Sequence, residues 1–316
     1  MNEASERTTS GTAQTMRLEP ARPYSWQQTL LALEGWAAAP DRGHASGQEG
    51  GWLVALRTPT TQREAVLEVR QDEPGSLLVT VDGAALTPAE LDHVTRELTW
   101  RLALDLDTQP LHAAAMHDPA FAPIASALAG FHPPLTTSAF QAACWTVIRQ
   151  RTPPSFAHAS MERLATLLGT AVAAATGAQL LIFPAPADLD DDARPALLAA
   201  TNNLRKVERL RGLADAFRLV DEEWLRTAPY AEAYAWLVAL PGLGPWSAEQ
   251  VLWRGLGRYE RVPWRDTGAL AAVGAAYLGG LTPAKGTARE LAEEYGWLQG
   301  LWLRYLKAYD RVRSSP

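Results

Sequence analysis

The stretch that most constrains the fold is Leu240-Pro241-Gly242-Leu243-Gly244-Pro245-Trp246-Ser247-Ala248. A helical pattern from Ala231 to Leu240 runs into a turn with two glycines, and Pro245 then opens a second helical pattern reaching about Gly257. Glycine tolerates positive φ and lets the backbone approach a ligand, while proline at a first helical position gives up no hydrogen bond. The expected unit is a helix, a tight hairpin and a helix. Such a turn presents N–H groups without intrahelical partners at a helix N-terminus, where the dipole also favours an anion. A phosphate suits it, and a phosphate that stays constant while the rest of a ligand varies points to a nucleic-acid backbone.

Asp266 follows in Val262-Pro263-Trp264-Arg265-Asp266-Thr267-Gly268, just ahead of an apolar helical pattern. Aspartate is among the best N-caps, and a capping carboxylate is held rigid and ionised. The hairpin, with an aspartate twenty positions past Trp246 (266 − 246), resembles the helix-hairpin-helix superfamily of DNA glycosylases and, within it, the 3-methyladenine DNA glycosylase II family. The resemblance implies that Asp266 is the catalytic carboxylate and that Leu240, Gly242, Leu243, Gly244 and Trp246 form the DNA-phosphate site. It further implies a monofunctional enzyme of base-excision repair, acting on alkylated bases of the 3-methyladenine and 7-methylguanine type in double-stranded DNA.

The chemistry fits one acid. Breaking an N-glycosidic bond develops positive charge on the sugar, which a fixed carboxylate in a partly desolvated pocket stabilises while orienting the attacking water. Trp246 stands where the bifunctional members of the superfamily carry a lysine nucleophile, so hydrolysis to an abasic site is expected, without an imine. On an ideal helix Trp246, Gln250 and Trp253 share a face, and its indoles could stack on an everted, cationic base. Tryptophans at helical spacing are equally the signature of a core. The run Phe140–Arg151 is similar to the family's early helix that ends at the duplex, which would set Gln150 beside the extruded nucleotide and Arg151 in the vacated stack. Arg151 departs from the apolar wedge common there, and Gln250 from an aromatic residue a relative may carry.

Two alternatives stay open on the residues alone: a glycosylase for an oxidised or deaminated base, and a non-catalytic DNA-binding or lesion-sensing protein in which Asp266 is only a cap. No catalytic metal or redox cofactor is called for, although the resemblance allows a monovalent cation on the hairpin carbonyls. His112 and His117 are five apart and do not align on a helix.

The single cysteine, Cys144, rules out an internal disulfide and a four-cysteine iron–sulfur cluster. The net charge of −6 argues against indiscriminate nucleic-acid binding. From Thr201 onward, however, sixteen Lys+Arg stand against thirteen Asp+Glu, a local +3, which leaves −9 on the first two hundred residues. A polar N-terminus and the lack of a long apolar run are read as a cytoplasmic protein with no membrane association, and a monomer is expected.

Along the chain, residues 1–20 read as a flexible tail and Trp26–Trp36 as a short helix, with a loop over Asp41–Gly51. Strand-like runs follow at Trp52–Arg57, Glu64–Arg70 and Leu77–Val81, then a capping box at Thr87-Pro88-Ala89-Glu90. Residues 21–110 are therefore expected to be an α+β domain with a small antiparallel sheet. Residues 111–316 are expected to be all-α, with helices over Ala120–Ala129, Ser138–Gln150, Ser160–Thr176, Pro195–Ala216 and Glu222–Ala228 ahead of the hairpin pair, and Leu181-Ile182-Phe183 is not assigned to a strand.

Overall fold

Strands β3 (Trp52–Arg57), β4 (Glu64–Gln71) and β5 (Leu77–Asp82) form the centre of a sheet. In the computed structural model, which describes residues 13–34, 39–41, 43–46, 50–58 and 61–314, this sheet is antiparallel and five-stranded, in the order β1-β5-β4-β3-β2. Strand β5 buries every second residue, the pattern of a sheet with one covered face. Strands β3 and β4 bury several in a row because both of their faces are covered. Trp52, Val54, Leu67 and Val69 meet α1 (Trp26–Glu34) and α2 (Pro88–Arg101) on one side, in a core with Trp26, Val94 and Leu98. Leu53, Ala55 and Val66 meet Ala174 and Leu180 on the other.

Those last two residues belong to a hairpin that the periodicity did not reveal. Strands β6 (Thr170–Ala173) and β7 (Gln179–Ile182) pair antiparallel, so the helix expected to reach Thr176 ends at Leu168, and Leu181-Ile182 is strand. Their short apolar runs gain strand geometry by packing on the exposed side of the sheet. Two further corrections concern the sheet edges. Thr15–Leu18, expected in the tail, is edge strand β1 paired with β5, and His44–Ala45, expected in a loop, is strand β2 paired with β3. Trp36 lies outside the described residues. The Thr87–Glu90 capping box is present in both directions and starts α2 where expected.

The helical part begins with α3 (Gln109–Ala115) and α4 (Ala122–Ala127), then α5 (Ala139–Arg149) and α6 (Pro154–Leu168). The expected single helix over Pro195–Ala216 is two, α7 (Arg194–Thr201) and α8 (Leu204–Phe217). They are broken where Asn202 turns left-handed and Asn203 caps the next helix. Helices α9 (Glu222–Thr227), α10 (Tyr230–Ala239), α11 (Pro245–Gln250), α12 (Thr267–Tyr277), α13 (Lys285–Glu293) and α14 (Gln299–Ser314) complete the chain. Two apolar cores organise them. One joins α5, α8 and α11 through residues such as Val147, Leu210 and Ala248; the other joins α3, α4, α12 and α14 through Leu111, Ile124, Val273 and Trp302. Among the described residues no helix is long and apolar enough to cross a membrane.

Candidate active site

The hairpin forms as expected, and its two glycines have different duties. Gly242 has φ +88°, and a Cβ there would lie 2.6 Å from the Cγ and Cδ atoms of Arg209, so both backbone and space demand glycine. Gly244 is the extended N-cap of α11, and a Cβ on it would meet nothing within 4 Å. The close approach at Gly242 is therefore made by the protein's own α8, while the turn is open to an outside partner at Gly244. Leu243 is a correction to the phosphate-binding set. Its side chain is buried and its N–H closes the turn on the Leu240 carbonyl at 3.1 Å. The N–H of Leu240 likewise turns back to Leu237, at 3.2 Å. Trp246 is half-buried in the first turn of α11, where N–H groups lack intrahelical partners.

Gln150, at the end of α5, reaches this turn. Its Nε2 donates to the Gly242 carbonyl at 2.7 Å, and its Oε1 accepts from Arg209 at 2.6 Å. Both ends of the amide are thus used to brace the hairpin against α5 and α8. Lys206, buried one helical turn before Arg209, donates to the Ile148 carbonyl at 2.6 Å and fixes the end of α5. Arg151 follows with φ +50°, its side chain exposed. Arg209 and Lys206 escaped the sequence reading, since arginine and lysine on an amphipathic helix look like any solvated face.

Asp266 caps α12, its Oδ1 accepting from the Gly268 N–H at 2.9 Å. The same oxygen accepts from Lys307 Nζ at 2.7 Å; the other lies 3.4 Å from Gln250 Nε2 and 3.9 Å from an Arg254 nitrogen. The side chain is 13% exposed. Arg254, Gly268 and Lys307, which all contact the carboxylate, line a cavity of about 270 Å³ beside it. Burial pushes its pKa up, but the charges of Lys307 and Arg254 with the two hydrogen bonds outweigh this and hold it below the ordinary 3.8. Burial pulls the Lys307 ammonium the other way, down from its usual value.

Trp253 corrects the expected stacking face. Past Gln250 the helix widens into a π turn over Val251–Gly255, closed by the Leu256 N–H on the Val251 carbonyl at 3.0 Å. Trp253 lies inside that turn and is 1% exposed, with Nε1 donating to the Gly300 carbonyl at 2.8 Å, and it borders the cavity of Arg254 and Lys307 from within the core. It belongs to the core of α12 and α14. Gln250 is buried too, but beside the carboxylate: its Oε1 accepts from Arg254 at 2.9 Å while its Nε2 faces Asp266. Lys307 was missed because it lies 41 positions past Asp266 on another helix, where no spacing rule joins them. Trp302 and Tyr305 of α14 are fully buried in the same core.

Sheet, helical cores and a glycine hairpin with a capping aspartate define a helix-hairpin-helix DNA glycosylase fold. No family model matches the chain. The 3-methyladenine DNA-glycosylase from Archaeoglobus fulgidus superposes with TM-score 0.80 at 22% identity, covering 95% of this chain and all of that one (100%). The Clostridium acetobutylicum 8-oxoguanine glycosylase/lyase in complex with double-stranded DNA gives TM-score 0.69 at 15% identity, over 96% of this chain and 99% of that one. In sequence, the chain is 27% identical over 264 residues to the "Probable bifunctional transcriptional activator/DNA repair enzyme AlkA" of Mycobacterium tuberculosis, covering 83% of this chain and 50% of the relative. The chain thus spans half the length of the curated relatives it matches. The chain therefore shares the fold of the helix-hairpin-helix DNA glycosylases and is similar in sequence to a DNA repair enzyme.

Proposed function

We propose that this chain is a DNA glycosylase of alkylation-damage repair that removes a damaged base by hydrolysis and leaves an abasic site. The observation that carries this reading is the Asp266 carboxylate: held ionised by Lys307 and Arg254, fixed as the cap of α12, and still 13% exposed beside a cavity that its contacts line. As the C1′–N bond breaks, its electron pair leaves with the base and the sugar gains positive charge. Asp266 stabilises that charge and orients the water whose hydroxyl adds to C1′. The hairpin at Gly244 and the first turn of α11 take a phosphate of the strand. Arg151, exposed next to the residue that ties α5 to the hairpin, suits the space left by the everted nucleotide.

Hydrolysis without strand cleavage rests on two residues. Trp246 offers no amine. Lys307 has one close by, but as an ammonium paired with Asp266 at 2.7 Å it has no lone pair to attack the sugar. A monovalent cation at the hairpin, allowed by the resemblance, would share the Gly242 carbonyl with the Gln150 amide, and no step is assigned to it.

The test is incubation with an alkylated duplex, followed by identification of the released bases and of the strand. Free modified base with a strand that breaks only on alkali treatment is the expected result. Strand scission without alkali would make the enzyme a lyase, and binding without any base release would make it a lesion-recognition protein.

A further inference from the structure

We infer, resting on the glycosylase reading, that the charges around Asp266 select lesions whose base is uncharged, such as a neutral cyclic alkyl adduct, over cationic N-methylated purines. A catalytic carboxylate standing alone would attract a positively charged base. Here that attraction is already answered inside the protein: Lys307 touches Asp266 at 2.7 Å and Arg254 stands 3.9 Å away, two cations against one anion. Adding Arg304 and Asp310, which line the same cavity, gives three cations and two anions, still a net +1.

The aromatic surface that would favour a cation is also engaged. The Trp253 ring has Arg254 5.1 Å, Arg304 5.3 Å and Lys307 5.7 Å from its centre, and the ring itself is buried. Position 250 adds an amide rather than a ring, already bonded to Arg254.

A carboxylate acting on C1′ sits about 3–3.5 Å from it, which leaves the glycosidic nitrogen within roughly 8 Å of the Lys307 ammonium. That is no more than about one screening length at physiological salt, in a partly buried site where screening is weaker still. A cationic base would be repelled on entry and would lose no net repulsion until it departs neutral. An uncharged base enters without that cost and departs with a developing negative charge, which Lys307 and Arg254 stabilise. The balance is that of hydrolysis: the bond pair goes to the base, water gives its hydroxyl to C1′ and its remaining proton neutralises the base.

The experiment measures single-turnover release from duplexes carrying one ethenoadenine or one 7-methylguanine. Each rate is divided by the spontaneous loss rate of the same base, because cationic lesions fall off unaided. The wild type should accelerate ethenoadenine release at least tenfold more than 7-methylguanine release. Lys307→Met should shrink that ratio at least tenfold, and Lys307→Arg, which keeps the charge, should preserve it. If Lys307→Met does not fold by thermal melting, the wild-type ratio decides by itself. Equal or greater acceleration of 7-methylguanine, or a ratio that a folded Lys307→Met leaves unmoved, overturns the charge assignment and leaves the glycosylase reading standing. Release of neither base overturns both.

Discussion

The hairpin and the carboxylate, the two halves of the site, are built in opposite ways. At the hairpin the surface offered to a partner is backbone, and side chains from elsewhere, Gln150 and Arg209, brace it from behind. At Asp266 the proposed reacting group is a side chain, and its charge state is set by Lys307 and Arg254, from other parts of the chain. A turn carries its chemistry in its local conformation; a carboxylate in a chamber takes its chemistry from whatever charges the fold brings within a few ångströms.

The sharpest way to break this comparison is Asp266→Asn. If the carboxylate works by charge, base release should fall by about 10²–10³-fold, the scale for losing one electrostatic contact of the transition state. Asparagine keeps the cap but leaves Lys307 without its counter-charge, so the melting temperature should fall modestly while base release falls far more. A proportional loss of both would make Asp266 a structural cap.

Next in size is the contrast between the glycines. Gly242→Ala forces a left-handed backbone and a contact with Arg209, and should cost about 1–3 kcal/mol in denaturant unfolding. Gly244→Ala, with open space and an extended backbone, should leave stability within about 0.5 kcal/mol while weakening DNA binding in a fluorescence-anisotropy titration. Equal stability losses would remove the division of labour between the two positions.

Gln150→Ala removes both bracing bonds and should cost roughly 1 kcal/mol of stability for each net hydrogen bond lost, with DNA affinity falling and the rate at saturating DNA largely kept. A fall in rate alone would give Gln150 a direct part in the chemistry.

The smallest effect is on pH. The folded pKa of Asp266 lies below its ordinary 3.8, so the stability it contributes is present above that value and is lost as pH falls through the lower folded one. Titration of the carboxyl carbon shift should place the midpoint of Asp266 below 3.8, and Lys307→Met should move it upward. A midpoint that stays put would mean that Lys307 does not set the charge.

Much of this was legible in the chain. Leu240–Ala248 dictated its turn because glycine and proline restrict the backbone locally, and Thr87–Glu90 and Asp266 dictated helix starts because a cap bonds within two or three residues. The run Leu77–Val81 marked a strand, and the spacing from hairpin to aspartate marked the proposed site. What failed was whatever depends on a remote partner. Strand β1 exists because β5 has an open edge, and β6 and β7 because the sheet has a second face to cover. Trp253 is packed into the core of α12 and α14, inside a π turn that breaks the helical period, and no residue-type rule marks that turn in advance.

By itself, then, the sequence determined the hairpin, the capping aspartate and the order of an α+β part before a helical one, since each is a matter of conformation over a few neighbouring residues. Tertiary structure alone decided which charges surround that aspartate. Electrostatic interactions act through space, and Lys307 lies 2.7 Å from Asp266 only because two helices of one core pack side by side.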